Sequence, residues 1–276
     1  MIDFTKAHAC GNDFLIVTED AARAAVADDW ATLTRRLCAR NTGVGADGVE
    51  FFAWTGPRSG RLRLHNADGS IAEISGNGTR CVAAWMAEQT HAQPGAELHI
   101  DTDAGPRICH VDAIDASAGF TVEVTAGMGV PVFAPRTVTM PAGVQVQGVE
   151  VSTGKPHFVI AVDNSEFKVD GQTWQSVGQQ ICSLPDFPYQ TNVEFLRVVS
   201  PTEIEIRIFE RGVGPTTSSG TGSSATATAA LAFNGCCSPL TVTAPGGAQT
   251  VVWDGPGTEL RLTGPATLIS RGEAWL

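Results

Sequence analysis

Short runs in which apolar and polar side chains alternate set the character of this chain. "RLRLHN" (61–66), "ELHIDTD" (97–103), "FTVEVTAG" (120–127), "NVEFLRVV" (192–199), "EIEIRIFE" (203–210), "LTVTA" (240–244), "TVVW" (250–253) and "ELRLTG" (259–264) alternate or run β-branched, and Gly, Pro, Asn or Asp separate them. Such segments predict half-buried strands. "NADGS" (66–70) is turn chemistry that folds "RLRLH" back onto "IAEIS" as a hairpin. Helical patterns are fewer. "DDWATLTRRLCAR" (28–40) carries Trp30, Leu33 and Leu37 on one face with Arg35, Arg36 and Arg40 elsewhere, as a surface helix does, and "WQSVGQQIC" (174–182) is a second candidate.

Two further helical segments follow another rule. "CVAAWMA" (81–87) and "ATATAALAF" (225–233) bear no charge on any face, so each must be buried all round. With strands in such excess, the economical arrangement is one helix inside the curl of each of two β-rich domains, an α+β chain of two similar halves. The boundary is placed near residue 118, before "FTVEVTAG", and an irregular Pro- and Gly-bearing stretch is expected from about 127 to 148. Each apolar segment is preceded by a serine and a Gly-x-Gly: "EISGNGTRCVAAW" carries Ser75, and "TTSSGTGSSATATAA" carries Ser219, 144 residues later.

Composition narrows the partners. A net charge of -11 argues against a protein that binds by covering phosphates with Lys and Arg, so nucleic acid is not an expected partner. The opening "MIDFTKAHAC" lacks the apolar core of a signal peptide, and no apolar run reaches the roughly 18 residues of a membrane span. Seven scattered cysteines (Cys10, Cys38, Cys81, Cys109, Cys182, Cys236, Cys237) show neither CxxC nor zinc spacing and read as reduced, mostly buried thiols of a cytoplasmic protein, with no metal site.

A helix N-terminus presents backbone N–H groups and partial positive charge, which suits a carboxylate, and glycines let the backbone approach it closely. One such motif is a capped buried helix and little more. Two of them suit proton exchange at a chiral carbon, where one group removes the proton from one face and a second delivers one to the other, while N–H groups hold the adjacent carboxylate as charge builds.

"HACGNDF" (8–14), "GADG" (45–48), "NADGS" with "SGNGTRC" (66–81), "GKPH" (154–157), "TNVEF" (191–195), "ERGVGPTTSSGTG" (210–222) and the closing "GPATLISRGEAW" together resemble diaminopimelate epimerase, over essentially the whole chain. The resemblance implies two pseudo-symmetric barrel-like domains, each wrapped about a central helix, with the active site in the cleft between them and the last strand crossing back to the first domain. The expected domains are 1–117 plus 265–276 around a helix at 77–88, and 118–264 around a helix at 221–234. It also implies catalysis with no cofactor, a homodimer, an amino-acid (di-acid) substrate, and a place in lysine and cell-wall precursor synthesis. By position, Asn12, Asn66, Asn192 and Arg211 would hold the substrate, with Arg211 on its distal carboxylate. Glu210 would meet the reacting ammonium. The backbone of Gly76, Asn77, Gly220 and Thr221 would grip the adjacent carboxylate.

The chain departs from the family pattern at the reacting positions. The pattern has a cysteine before each Gly-x-Gly, one acting as thiolate base and the other as thiol acid, and here Ser75 and Ser219 stand there. A helix N-terminus stabilises an adjacent anion by ~0.3 to 2 kcal/mol, at most about 1.5 pKa units. That poises a thiol near neutrality but leaves a serine hydroxyl far from ionised, so serine needs a neighbouring base, and neither motif shows one locally. Lys155 replaces the usual asparagine of "GKPH", a solvated charge, a carboxylate partner or the missing base, and Pro215 replaces a glutamate. Two readings therefore stand: an epimerase of the diaminopimelate type, and a diverged or engineered member inactive on diaminopimelate that binds an amino acid only, or acts as racemase or dehydratase on another.

Overall fold

The computed structural model describes residues 1–117, 119–141 and 143–275; the boundary expected at 118 lies outside the described residues. In chain order the elements are β1 (Ile2–Ala9), β2 (Asn12–Thr18), α1 (Glu19–Val26), α2 (Trp30–Cys38), β3 (Gly48–Gly56), β4 (Ser59–Asn66), β5 (Ile71–Ala72), α3 (Gly76–Gln89), β6 (Glu97–Thr102), β7 (Gly105–Asp115) and β8 (Phe120–Gly127). There follow β9 (Val132–Thr139), β10 (Gln145–Ser152), β11 (Pro156–Ala161), α4 (Trp174–Cys182), β12 (Asn192–Ser200), β13 (Glu203–Glu210), β14 (Gly214–Thr216), α5 (Gly220–Phe233), β15 (Leu240–Ala244), β16 (Gly247–Val252) and β17 (Arg261–Ala274). Two compact units result: Met1–Ala126 with Thr263–Leu276, and Gly127–Leu262.

The first unit is a closed barrel of eight strands. β1 pairs antiparallel with β2, β2 parallel with β3, β3 antiparallel with β4, β4 parallel with β6, and β6, β7 and β8 follow antiparallel. β17 closes the circuit between β8 and β1. The predicted hairpin at 66–70 forms: Leu64 faces Ala72 and His65 faces Ile71, with Gly69 at φ +85° in the turn. β8, expected to open the second half, hydrogen-bonds β7 and β17 instead and so belongs to this unit.

The second unit repeats the same succession. β10 pairs antiparallel with β11, β11 parallel with β12, β12 antiparallel with β13, the short β14 folds back on β13, β13 pairs parallel with β15, and β15 antiparallel with β16. The stretch expected to be irregular contains β9 and the start of β10, an antiparallel pair; polar and exposed residues along β9, and Pro135 within it, conceal the strand in the sequence. The repeat holds a constant offset of 144 residues from β3 to α3 and from β12 to α5, apart from the two short strands that precede the helices.

Side-chain alternation sorts each strand between two cores. In β3, Val49 and Phe51 pack with Trp30, Leu33 and Leu37 of α2, while Phe52 joins α3 inside the barrel. In β12, Val193 and Phe195 pack with Val177 and Ile181 of α4, while Leu196 joins α5. Both central helices are enclosed, α3 from Gly76 to Ala87 and α5 from Gly220 to Ala230. Three buried hydroxyls of α5 turn back on its own carbonyls, Ser224 onto Gly220 at 2.9 Å, Thr226 onto Gly222 at 2.7 Å and Thr228 onto Ser224 at 2.9 Å, which satisfies them inside the barrel-like core.

Candidate functional site

Each unit builds the same helix start. Ser75 leaves extended backbone (φ -128°, ψ 123°) as the N-cap of α3, and its Oγ accepts a hydrogen bond from the Gly78 N–H at 3.1 Å. Ser219 caps α5 in the same way (φ -150°, ψ 124°), its Oγ accepting from the Gly222 N–H at 3.2 Å. Gly76 with Asn77, and Gly220 with Thr221, form the first turns, whose N–H groups have no acceptor within the helix.

A second pair of residues lies beneath the caps. Glu50 of β3 and Glu194 of β12 are fully buried, and they too stand 144 residues apart. A Cβ at Gly78 would fall onto Glu50 Oε1, and one at Gly222 would lie 3.0 Å from Glu194 Oε1. Close approach to a carboxylate is therefore one reason for glycine in the first turn. Glu194 is hydrogen-bonded to the imidazole Nδ1 of His157 at 2.7 Å, and neither side chain is exposed. The "VEF" common to residues 49–51 and 193–195 is the signal that would have revealed these glutamates.

The surroundings of the two serines differ. In the first unit a chain of amides and charges runs inward: Asn12 donates to Asp47 at 2.7 Å, Asn77 donates to Asn12 at 3.2 Å, and the wholly buried Arg80 donates to Asn77 at 2.6 Å. Arg40 ties Asp47 and Asp13 together at 2.7 and 2.8 Å. Asn66 ends β4 and donates to Ser70 at 3.0 Å. In the second unit the positions matched by strand register are charged. Phe14 faces Gly48 as His157 faces Asn192, so Lys155 corresponds to Asn12; Glu210 ends β13 as Asn66 ends β4.

Glu210 is the neighbour of Ser219 that the sequence did not reveal. Desolvation pushes the Glu210 pKa up, opposed by the Ser219 side chain and by the charges of Lys155 and His157. Asn192, buried at the start of β12, accepts from the Arg211 N–H at 3.0 Å, and the Arg211 guanidinium donates to the Tyr189 carbonyl at 3.0 Å. Lys155, His157, Asn192, Glu194, Glu210, Arg211 and the Ser219 cap thus gather in one unit, and Asn12, Glu50, Asn66, the Ser75 cap and Asn77 in the other.

All seven cysteines are free, and Cys81, in the second turn of α3, is held far above the usual thiol range by burial and by the charge of Glu50. Two cavities, of about 740 and 490 Å3, open elsewhere, one against β10, β11 and β12 and one against β1, α3 and β17, and none of the site residues lines them. Among the described residues no helix is long and apolar enough to cross a membrane.

Comparison with known proteins identifies the family. Residues 4–133 and 149–269 match the family described as diaminopimelate epimerase. The diaminopimelate epimerase of Heliobacterium modesticaldum is 32% identical over 285 residues, which cover 99% of each chain. Among solved structures, a phenazine biosynthesis protein of the PhzF family from Bacillus anthracis superimposes with a TM-score of 0.74 at 16% identity, covering 100% of this chain and 99% of that one. A probable proline racemase from Agrobacterium radiobacter does so at 0.73 and 14% identity, covering 100% and 93%. At these identities the two structures share the fold.

Proposed function

The chain belongs to the diaminopimelate epimerase family, a family of amino-acid isomerases, and from that premise we propose that it inverts the Cα of an amino acid, interconverting LL- and meso-diaminopimelate with Ser75 and Ser219 as the two proton-transferring positions. The supporting observation is the pair of serine-capped helix starts, built alike on two buried helices, because inversion needs one proton-transferring group for each face of the carbon. The first-turn N–H groups of Gly76, Asn77, Gly220 and Thr221 serve the carboxylate next to that carbon. Asn12, Asn66, Asn192 and Arg211 hold the rest of the substrate, Arg211 as the clamp for the distal carboxylate, with Lys155 beside them and Glu210 at the ammonium end. No cofactor takes part in the reaction as proposed. A homodimer in the cytoplasm, serving lysine and peptidoglycan precursor synthesis, completes the reading.

The test is incubation with LL- and meso-diaminopimelate in D2O. Deuterium at Cα together with interconversion of the isomers supports the reading. Absence of both, restored by Ser75→Cys with Ser219→Cys, would mark the serine form as disabled. Exchange confined to another amino acid would move the chain to the second reading, for which the Lys155 and Ser219 surroundings are the specific argument. Ligand-dependent thermal stabilisation without exchange for any amino acid would leave binding alone.

A further inference from the structure

An asparagine amide can be turned either way, so what Asn12 offers a ligand depends on its neighbours. In the first unit a chain of hydrogen bonds settles its orientation. Arg80, wholly buried one turn into α3, donates from Nη2 to Asn77 Oδ1 at 2.6 Å. Asn77 Nδ2 donates to Asn12 Oδ1 at 3.2 Å, and Asn12 Nδ2 donates to Asp47 Oδ2 at 2.7 Å. A guanidinium only donates and a carboxylate only accepts, so the two ends fix the polarity of both amides between them. Turning either amide over would set donor against donor at one of its contacts and acceptor against acceptor at the other. The Asn12 carbonyl therefore faces the buried Asn77, and its NH2 group lies on the side of the exposed Asp47. One N–H is spent on that carboxylate; the other meets no acceptor among the described residues.

We propose that Arg80 and Asp47 are positioning residues that hold this N–H of Asn12 outward, making Asn12 a donor for a carboxylate oxygen of the substrate; the assignment rests on the diaminopimelate reading above. Keeping a guanidinium wholly buried with Nε and Nη1 unpaired is costly, and the hydrogen bond it does make is the one that orients Asn77.

The second unit reaches the same end by another route. At the offset of 144 residues, Asn77 and Arg80 become Thr221 and Ser224, and the Ser224 hydroxyl is turned to the Gly220 carbonyl at 2.9 Å. The counterpart of Asn12 is Lys155, whose ammonium is a donor in every orientation. Both units thus carry a donor at the matched position, and only the first has to orient it. Nor does the charge around Asn12 oppose an anionic ligand. Asp47 and Asp13 are both held by Arg40, at 2.7 and 2.8 Å, and Asp13 also by Lys6 at 3.0 Å, so two cations balance two carboxylates. A substrate ammonium would meet the outward N–H as donor against donor.

The experiment measures binding by isothermal titration calorimetry to the wild-type chain, Arg80→Met, Arg80→Lys and Asp47→Ala. The probes are LL-diaminopimelate, pimelate, which keeps both carboxylates without the ammonium groups, and 1,5-diaminopentane, which keeps both ammonium groups without the carboxylates. Expected is a Kd for LL-diaminopimelate and for pimelate raised about tenfold in Arg80→Met and Asp47→Ala, with that for 1,5-diaminopentane within about twofold and partial recovery in Arg80→Lys. Asp47 is exposed, so Asp47→Ala decides the matter should far-UV circular dichroism show Arg80→Met unfolded. Weaker binding of 1,5-diaminopentane with pimelate unchanged would mean that Asn12 serves an ammonium through its carbonyl, and would overturn the proposal. Equal loss of all three probes would reduce Arg80 and Asp47 to supports of the fold and overturn it as well, as would an unchanged Kd for pimelate. No binding of LL-diaminopimelate by the wild-type chain would overturn the diaminopimelate reading and this assignment together. Binding without Cα exchange in D2O would overturn the epimerase reading alone.

Discussion

The two units use one construction for two chemical environments. From β3 to α3 and from β12 to α5 they share the strand succession, the buried glutamate, the serine cap and the spacing between them. They differ in the side chains around the cap: Asn12 and Asn66 in the first, Lys155 and Glu210 in the second. The helix starts are alike in backbone, whereas the strand end that precedes each carries an amide, Asn66, in the first unit and a carboxylate, Glu210, in the second.

The largest effects should come from the caps themselves. Ser219→Ala and Ser75→Ala are each expected to slow isomer interconversion by about 10² to 10⁴-fold, read by following the conversion of LL- to meso-diaminopimelate. Asn66→Ala, at the position matching Glu210, should instead raise KM and leave kcat within a few fold; an equal fall in kcat would erase the distinction between the units. Next comes the buried pair peculiar to the second unit. His157→Leu leaves Glu194 enclosed without its partner and should lower stability by about 3 to 5 kcal/mol, measured by urea unfolding, whereas Phe14, its counterpart, has no such ion to strand.

The first-turn glycines give a smaller contrast. Gly78→Ala drives a methyl group into the buried Glu50 carboxylate and should cost about 1 to 3 kcal/mol, while Gly222→Ala, with 3.0 Å to Glu194, should cost less. Equal losses would show that the two helix ends are packed alike. Smallest is a pH effect confined to the first unit. Burial raises the Asp13 pKa, but hydrogen bonds and charges from Arg40 and Lys6 outweigh it and hold the carboxyl below its ordinary value. A carboxyl depressed in the folded state contributes stability above its unfolded pKa of about 3.9 and loses it as pH falls further. Asp13→Asn should therefore remove on the order of 1 kcal/mol at neutral pH and flatten the acid limb of stability, checked by unfolding at pH 3 and pH 7.

Much of the scaffold is legible along the chain. β4, β6 and β13 alternate because one side faces a central helix, the hairpin at 66–70 follows from its turn residues, and α3 and α5 lie inside because no face of their cores carries charge. "NDFLIVT" and "PHFVIA" escape that reading. Most of β2 and β11 is buried on both faces, each pairing parallel with its neighbour, and such strands run apolar without alternation. Glu50 and Glu194 escape for a related reason, since a lone charge within an apolar strand breaks the pattern that would place it.

By itself the sequence determined that one device, a serine and a Gly-x-Gly before an apolar helix, occurs twice, and which family the chain resembles. These are properties of local order, and local order records which side of an element is buried. Only the tertiary structure decided which charged groups surround each helix start. β14 folds back along β13, setting Gly214 opposite Glu210 and Pro215 opposite Phe209 before the chain enters α5. Lys155 and His157 reach Glu210 across the parallel pairing of β11 with β12 and the antiparallel pairing of β12 with β13. Proton transfer depends on neighbours in space, and a separation of 55 residues between Lys155 and Glu210 leaves no periodic trace for the sequence to show.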